Sequence, residues 1–371
     1  LKKFQNKQKP GNLRSKLKFE SLRILCYLLP INIPYSLRRI VMNKIPVAIL
    51  GSTGVVGQKM IAMLSDHPHF YVAEIVASDK NLNKSYGEVS TWFERTKIPS
   101  SVFQMRFKST SEITSPYALS ALPSEVAAEI EPNLASKGIH VISNASTFRM
   151  NKYVPLLIPE INPSHLEIVA QQKTTGKMVT NPNCSTVFLA MAIFPLYATY
   201  KIKHITAVTL QAISGAGYPG LPSLDILGDC IPNILGEEEK IQNEVKKILG
   251  STSLPATFTT TVNVNRIPVK HGHTVIANVH FTENISKQEI EKLFITYAEK
   301  FPQAYQLHFD NFSPRPTRDL TDFDNRTHIG RIRVSEDPRQ ISLVAMGHNL
   351  VRGAAGAAIL NLELFHKYLG K

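Results

Sequence analysis

The stretch that most constrains this chain runs from Ile45 to Leu64. Ile-Pro-Val-Ala-Ile-Leu (45–50) is a continuous apolar run of the kind buried on both faces of a parallel sheet. Gly51-Ser52-Thr53-Gly54-Val55-Val56-Gly57 follows at once, and then an apolar-periodic segment, Met60 to Leu64, that reads as a helix. Strand, glycine-rich turn and helix is the order a dinucleotide site requires, because the glycines let the backbone turn tightly and approach a pyrophosphate seated on the helix N-terminal amides. The spacing is Gly-x-x-Gly-x-x-Gly, not the commoner Gly-x-Gly-x-x-Gly, so a purely structural turn stays open at this point.

The next expected strand, Tyr71 to Ala77, ends in Ser78-Asp79-Lys80, about 20 residues past the turn, where the adenosine ribose is read. A lone acid there favours NAD. Ser78 and Lys80, with Lys84 near, offer a hydroxyl and a cation to a 2′-phosphate, so the reading is NADP, a solvated turn being the alternative. Further strands close at Ser120-Ala121-Leu122-Pro123 and at Ile139 to Ile142, before Ser143-Asn144. Alternating strands and helices with short links predict an α/β, Rossmann-type NADP-binding domain.

After about residue 180 the texture changes to longer Thr/Val-rich strands (206–213, 257–264, 273–282, 341–346) separated by helical segments. These predict an α+β catalytic and dimerisation domain with a mixed sheet on one helical layer. Residues 237–249 read as a helix with three Glu in its first turn, Lys246 and Lys247 in its last, and Ile241, Val245 and Leu249 as its apolar stripe. The last segment, Gly353 to Leu369, reads as a helix returning to the first domain. The expected division is 42–182 plus 348–371 for the nucleotide domain and 183–347 for the catalytic domain.

Composition matters for what it excludes. The 371 residues carry a formal charge of +13, which would suggest nucleic acid if spread over the fold. Residues 1–41, however, hold ten Lys and Arg against Glu20 alone, leaving +4 for the rest. That segment reads as a basic targeting leader or as an over-extended start ahead of Met42, and it is excluded from the fold argument. Nucleic acid and membrane partners are therefore not expected, and no apolar run approaches a membrane span. Three cysteines, Cys26, Cys184 and Cys230, are too few and too scattered for a disulfide framework or a zinc site; no metal is expected. They fit a reducing compartment, the cytoplasm, or an organelle if 1–41 is a transit peptide.

The chemistry centres on Thr180-Asn181-Pro182-Asn183-Cys184-Ser185-Thr186, where a turn leads into the apolar helix 187–194. A thiol at a helix N-terminus is expected to have a lowered pKa and to act as a nucleophile, the alternative being a small buried hydrophobe. This segment resembles the active-site segment of aspartate-semialdehyde dehydrogenases, and other motifs agree in order. They are Gly51 to Gly57, Ser143-Asn144-Ala145, Pro159-Glu160-Ile161-Asn162, Gln211 to Gly217, Gly236-Glu237-Glu238-Glu239-Lys240, Arg266-Ile267-Pro268-Val269, Gly272-His273-Thr274 and Asn349 to Gly356. Together they span about 45–360 and resemble the archaeal and fungal branch of that family.

The resemblance implies reversible reduction of L-aspartyl-4-phosphate by NADPH to L-aspartate 4-semialdehyde and phosphate, in lysine, threonine and methionine biosynthesis. It assigns Cys184 as nucleophile, His273 as acid/base and Gln211 to orienting the substrate. Arg266 would grip the substrate α-carboxylate and Glu237 its amino group, while Lys240, Asn144 and Arg149 would face phosphate. Ser214, Gly215, Ala216 and Gly217 would approach the nicotinamide, and Asn349 would bond its carboxamide. His271 is a decoy that would share a strand face with His273. His348 departs from the branch, which usually has Asp there. A homodimer or homotetramer is implied. Malonyl-CoA reductase and N-acetyl-glutamyl-phosphate reductase, of the same thiol-dependent group, and a non-catalytic NADP-binding protein are the rival readings.

Overall fold

The computed structural model describes residues 44–77 and 79–370; the basic segment 1–41 and Ser78 lie outside the described residues. Ile45–Leu50 (β1) pairs in parallel with Phe70–Val76 (β2) and Tyr117–Ser120 (β3). His140–Ser143 (β4) and Met178–Thr180 (β5) extend the sheet in the same sense, giving the order β2-β1-β3-β4-β5. The longer helices are α1 (Val55–Leu64), α2 (Ser124–Ser136), α3 (Cys184–Thr199), α4 (Glu237–Leu249), α5 (Lys287–Lys300) and α6 (Gly356–Tyr368).

Strand alternation divides the core. Val47 and Ile49 pack with Met60, Ile61 and Leu64 of α1 and with Ile359, Leu362 and Phe365 of α6. Ala48 and Leu50 point the other way, toward Leu134 and Ala135 of α2. The C-terminal helix is therefore part of the first sheet's covering, and residues 351–355 form a π-helical turn before it begins.

The second sheet is mixed, with the order β7-β6-β8-β11-β10-β9. Its strands are Ile202–Ala212 (β6), Thr259–Ile267 (β7), His273–Phe281 (β8), Tyr305–Leu307 (β9), Thr327–Val334 (β10) and Gln340–Gly347 (β11). One face packs on α3, α4 and α5; α3 is apolar all round, and Val187 to Ile193 are each at most 1% exposed, as a helix enclosed on every side must be. On the opposite face Val208, Leu210, Ile276 and Val344 remain half-exposed among Thr206, Asn278 and Ser342. Helix α4 keeps the bounds read from its charges and apolar stripe. The short strand β9 and the strand β10 were not read from the sequence.

Candidate active site

The turn after β1 is built to be close. A methyl on Gly57 would come within 2.4 Å of the Gly51 carbonyl oxygen, so the first turn of α1 presses directly on the turn that precedes it. Gly54 is the N-cap and no side chain caps this helix. The first amides of α1 have no intrahelical acceptor, and Val55 and Val56 line a cavity of about 600 Å³. An uncapped helix N-terminus facing open space fits a dinucleotide pyrophosphate. From the same wall come Leu122 and Pro123, which follow β3.

Cys184 begins α3 and lines the same cavity. Its helix is capped by Asn183, whose Oδ1 accepts from the amides of Ser185 at 2.9 Å and Thr186 at 3.3 Å. The Asn183 side-chain amide donates in turn to Glu237 at 2.5 Å. Glu237 also accepts from Lys240 at 3.2 Å, and both residues line the cavity. The cap, a residue type strongly preferred at this position, was not singled out from the sequence and is the link between the thiol and the Glu237/Lys240 pair.

Gln211 and Arg266 lie on neighbouring strands as register partners, bringing both to the cavity. Arg266 donates from Nη1 to the Ala212 backbone carbonyl at 2.7 Å, and Thr209 Oγ1 donates to the Gln211 side-chain oxygen Oε1 at 3.2 Å. Ser214 to Gly217 follow β6 and line the cavity as well. A methyl on Gly215 would come 2.8 Å from Arg266 Nη1 and 3.1 Å from His273 Nε2, so only glycine admits both side chains there. Asn144 and Arg149 complete the enclosure.

The structure corrects two expectations. Burial pushes the Cys184 thiol up to about 12, and the Glu237 carboxylate adds to that rise; Arg149 and Arg266 pull the other way and do not overcome it. The lowered thiol expected from the helix N-terminus is thus outweighed by removal from water. The two histidines do not share a face: Gly272, at φ +100°, turns the chain between them. His271 reaches Ser214 Oγ at 3.1 Å and stacks on His348, ring centroids 5.0 Å apart, while His273 is fully buried behind Gly215.

Burial, then the neighbouring Arg266, holds the His273 imidazole down at about 3, so it is neutral near pH 7. Its Nδ1 accepts from the Ala212 amide at 2.9 Å, which leaves the ring proton on Nε2. That Nε2 is buried and has no partner among the described residues. Such an unsatisfied donor fits a substrate oxygen, although His273 stands behind Gly215 and does not itself line the cavity.

Other predicted positions face inward or elsewhere. Ser52 is fully buried and its carbonyl accepts from Tyr86 at 2.9 Å; the Ser120 carbonyl accepts from the Asn144 side chain at 3.0 Å. Gly51, Ser52, Thr53, Gly54, Gly57, Ser120 and Ala121 form the turns behind the cavity and do not line it. Lys80 is exposed in the turn after β2. Asn349 holds the Ser214 loop, accepting from the Gly272 amide and donating to Ser214 Oγ, each at 2.9 Å. Among the described residues no group of His, Cys, Asp and Glu could hold a metal, and no helix is long and apolar enough to cross a membrane.

A parallel nucleotide-type sheet and a helix-capped thiol opening on one cavity, with guanidinium groups beside the sulfur, define a thiol-dependent oxidoreductase of the Rossmann class. Residues 46–169 match the family described as semialdehyde dehydrogenase, NAD binding domain, and residues 193–352 match semialdehyde dehydrogenase, dimerisation domain. An aspartate-semialdehyde dehydrogenase of Methanothermobacter thermautotrophicus is 39% identical over 352 residues, covering 87% of this chain and 99% of the relative. That of Schizosaccharomyces pombe is 36% identical over 86% of this chain and 97% of its own length. The solved Candida albicans aspartate semialdehyde dehydrogenase with NADP superposes with a TM-score of 0.79 at 30% identity, over 87% of this chain and 98% of that one. The chain belongs to the aspartate-semialdehyde dehydrogenase family.

Proposed function

We propose that this chain catalyses L-aspartyl-4-phosphate + NADPH + H⁺ ⇌ L-aspartate 4-semialdehyde + NADP⁺ + phosphate, supplying the lysine, threonine and methionine pathways. The observation that carries the reading is Cys184 at the head of a capped helix, in one cavity with Arg266, Gln211, Arg149 and the Glu237/Lys240 pair. The Cys184 thiol gives up its proton, which leaves with the phosphate, as its sulfur attacks the acyl carbon; the carbon–oxygen bond to phosphate breaks and a thioester remains on the enzyme. Departing phosphate carries its charge toward Lys240 and Arg149, with Asn144 beside them. Arg266, with N–H groups left over after its bond to Ala212, holds the substrate α-carboxylate, Glu237 holds the ammonium, and Gln211 orients the acyl group.

The Nε2–H of His273 directs a hydrogen bond at the acyl oxygen and stabilises the negative charge that gathers there in either direction, the proton staying on the ring. The amides at the head of α1, with Gly51 to Gly57 and the segment from Ser120 to Pro123, are suited to hold NADP, while Ser214 to Gly217 and Asn349 are suited to its nicotinamide end. When bound, NADPH supplies the hydride that reduces the acyl carbon. Ser78 and Lys80 are assigned to its 2′-phosphate.

The half-exposed, partly apolar face of the second sheet supports assembly as a homodimer or homotetramer. We assign 42–182 with 348–371 to nucleotide binding and 183–347 to catalysis and assembly, and the reaction to the cytoplasm, or to an organelle if 1–41 directs the chain there. The test is reduction of NADP⁺ by L-aspartate 4-semialdehyde, with and without phosphate and beside NAD⁺, using Cys184→Ala as the blank. Phosphate-dependent activity lost in the variant supports the reading. A folded, reduced protein that ignores the semialdehyde and oxidises NADPH with malonyl-CoA overturns it.

A further inference from the structure

Helix α4 carries a second function-bearing turn beyond Glu237 and Lys240. Glu244 and Lys247 repeat that pair two turns on, since each stands seven residues beyond its counterpart, Glu237 or Lys240, and a spacing of seven returns to nearly the same face of an α-helix. Glu244 is only 2% exposed, and its two oxygens go to two different structures. Oε1 accepts from Arg149 Nη1 at 2.9 Å; Oε2 accepts from the backbone amide of Asn183 at 2.6 Å. Lys247 latches the loop that carries the arginine, donating from Nζ to the carbonyls of Arg149 at 2.6 Å, Asn151 at 2.9 Å and Val154 at 3.0 Å.

Arg149 is thereby held by two of its nitrogens, since Nη2 also donates to the Asn144 carbonyl at 2.6 Å. Its third nitrogen, Nε, is buried and has no acceptor among the described residues. A buried guanidinium N–H left unsatisfied in a residue lining the cavity is a donor waiting for an anionic oxygen. The same carboxylate that fixes this cation also grips the cap residue of the helix on which Cys184 stands. One side chain therefore sets the distance between the nucleophile's helix and the cation.

We propose that Glu244 is a positioning residue that makes the site selective for a phosphate group on the acyl carbon, by holding Arg149 in register with Cys184. The proposal rests on the function stated above. Without Glu244, Arg149 is an uncompensated cation in a buried setting and leaves its place.

Glu244→Gln is the discriminating change: the amide oxygen still accepts from Asn183, but its NH₂ confronts Arg149 Nη1, donor against donor. With semialdehyde and NADP⁺ saturating, the KM for phosphate rises at least tenfold, while the KM for semialdehyde stays within twofold. Arg149→Ala produces a similar rise, and the double variant is no worse than Arg149→Ala alone, because Glu244 acts through the arginine. Glu244→Asp, which keeps the charge and shortens the reach, gives an intermediate value and stands in if the Gln variant does not fold. A second readout needs no turnover: inorganic phosphate protects Cys184 from iodoacetamide, and the protecting concentration rises at least tenfold in the Gln variant. Unchanged phosphate KM and unchanged protection in a folded variant overturn the proposal, as does a Glu244→Gln effect that persists in full without Arg149. A wild type whose alkylation responds to phosphate but whose turnover does not instead counts against the proposed reaction.

Discussion

Gly353 lies so close to Cys184 that a methyl group on it would stand 2.8 Å from the Cβ of the thiol residue and 3.2 Å from its Cα. The π-helical turn 351–355 brings this backbone against the head of α3. Gly353→Ala must therefore shift one of the two. Because a displacement of about 1 Å at the reacting group costs on the order of 100-fold, kcat should fall by about that factor. The thermal midpoint should fall by only a few degrees, an overpacking cost of about 1–3 kcal/mol. Steady-state kinetics and a melting curve on the same preparation separate the two effects.

The thiol's raised pKa has a signed consequence. With Cys184 at about 12 in the ligand-free protein, thiolate is scarce at neutral pH and grows about tenfold per pH unit. Iodoacetamide alkylation should rise with that slope from pH 6 to 10, with no plateau between 7 and 9. Glu237→Gln removes a charge that disfavours thiolate and should speed alkylation at pH 8. Arg266→Gln should slow it. A plateau near pH 8 in the wild type would contradict this account.

The turn that holds Asn349 and Gly353 is anchored by a buried ion pair. Arg352, 1% exposed, donates from Nη1 and Nη2 to the two oxygens of Glu160 at 3.0 and 2.7 Å. Burial opposes the charge on Glu160, and Arg352 nevertheless holds its carboxyl below the ordinary value of 4.5. A depressed carboxyl contributes stability that is present above its unfolded pKa and lost as the pH falls. Glu160→Gln should cost about 3–5 kcal/mol at pH 7 by stranding the guanidinium. In urea titrations the gap between wild type and variant should narrow as the pH drops below 4.5.

Cofactor choice is the last test. Lys80 is exposed and assigned to the 2′-phosphate, so Lys80→Ala should lower kcat/KM for NADP⁺ by about tenfold, the scale of one charge-assisted hydrogen bond. The value for NAD⁺ should not change. Equal losses with both cofactors would remove the assignment.

What the sequence made legible was local. The turn after β1, the bounds of α4 and the position of Cys184 at the head of α3 all follow from residues adjacent in the chain, where glycine spacing, end charges and apolar periodicity act directly. Properties set across the fold were not readable. The thiol's pKa depends on burial and on Glu237, brought near through Asn183. His271 and His273 part company because of a single left-handed glycine. Asn349, expected at the nicotinamide, first serves the protein, tying Gly272 to Ser214. Glu244 escaped notice because its partners, Arg149 and Asn183, come from distant segments, and only its heptad spacing from Glu237 hinted that it turns the same way.

Helix α6 lies against β1 and α1, so the strand that begins the described fold receives part of its covering from a segment made long after it. A ribosome releasing this chain has exposed Val47, Ile49 and the whole glycine turn long before Ile359, Leu362 and Phe365 emerge. Until then one face of the first sheet is incomplete. A truncation that removed Gly356–Tyr368 would uncover Val47 and Ile49, so α6 is the wrong place to shorten this fold.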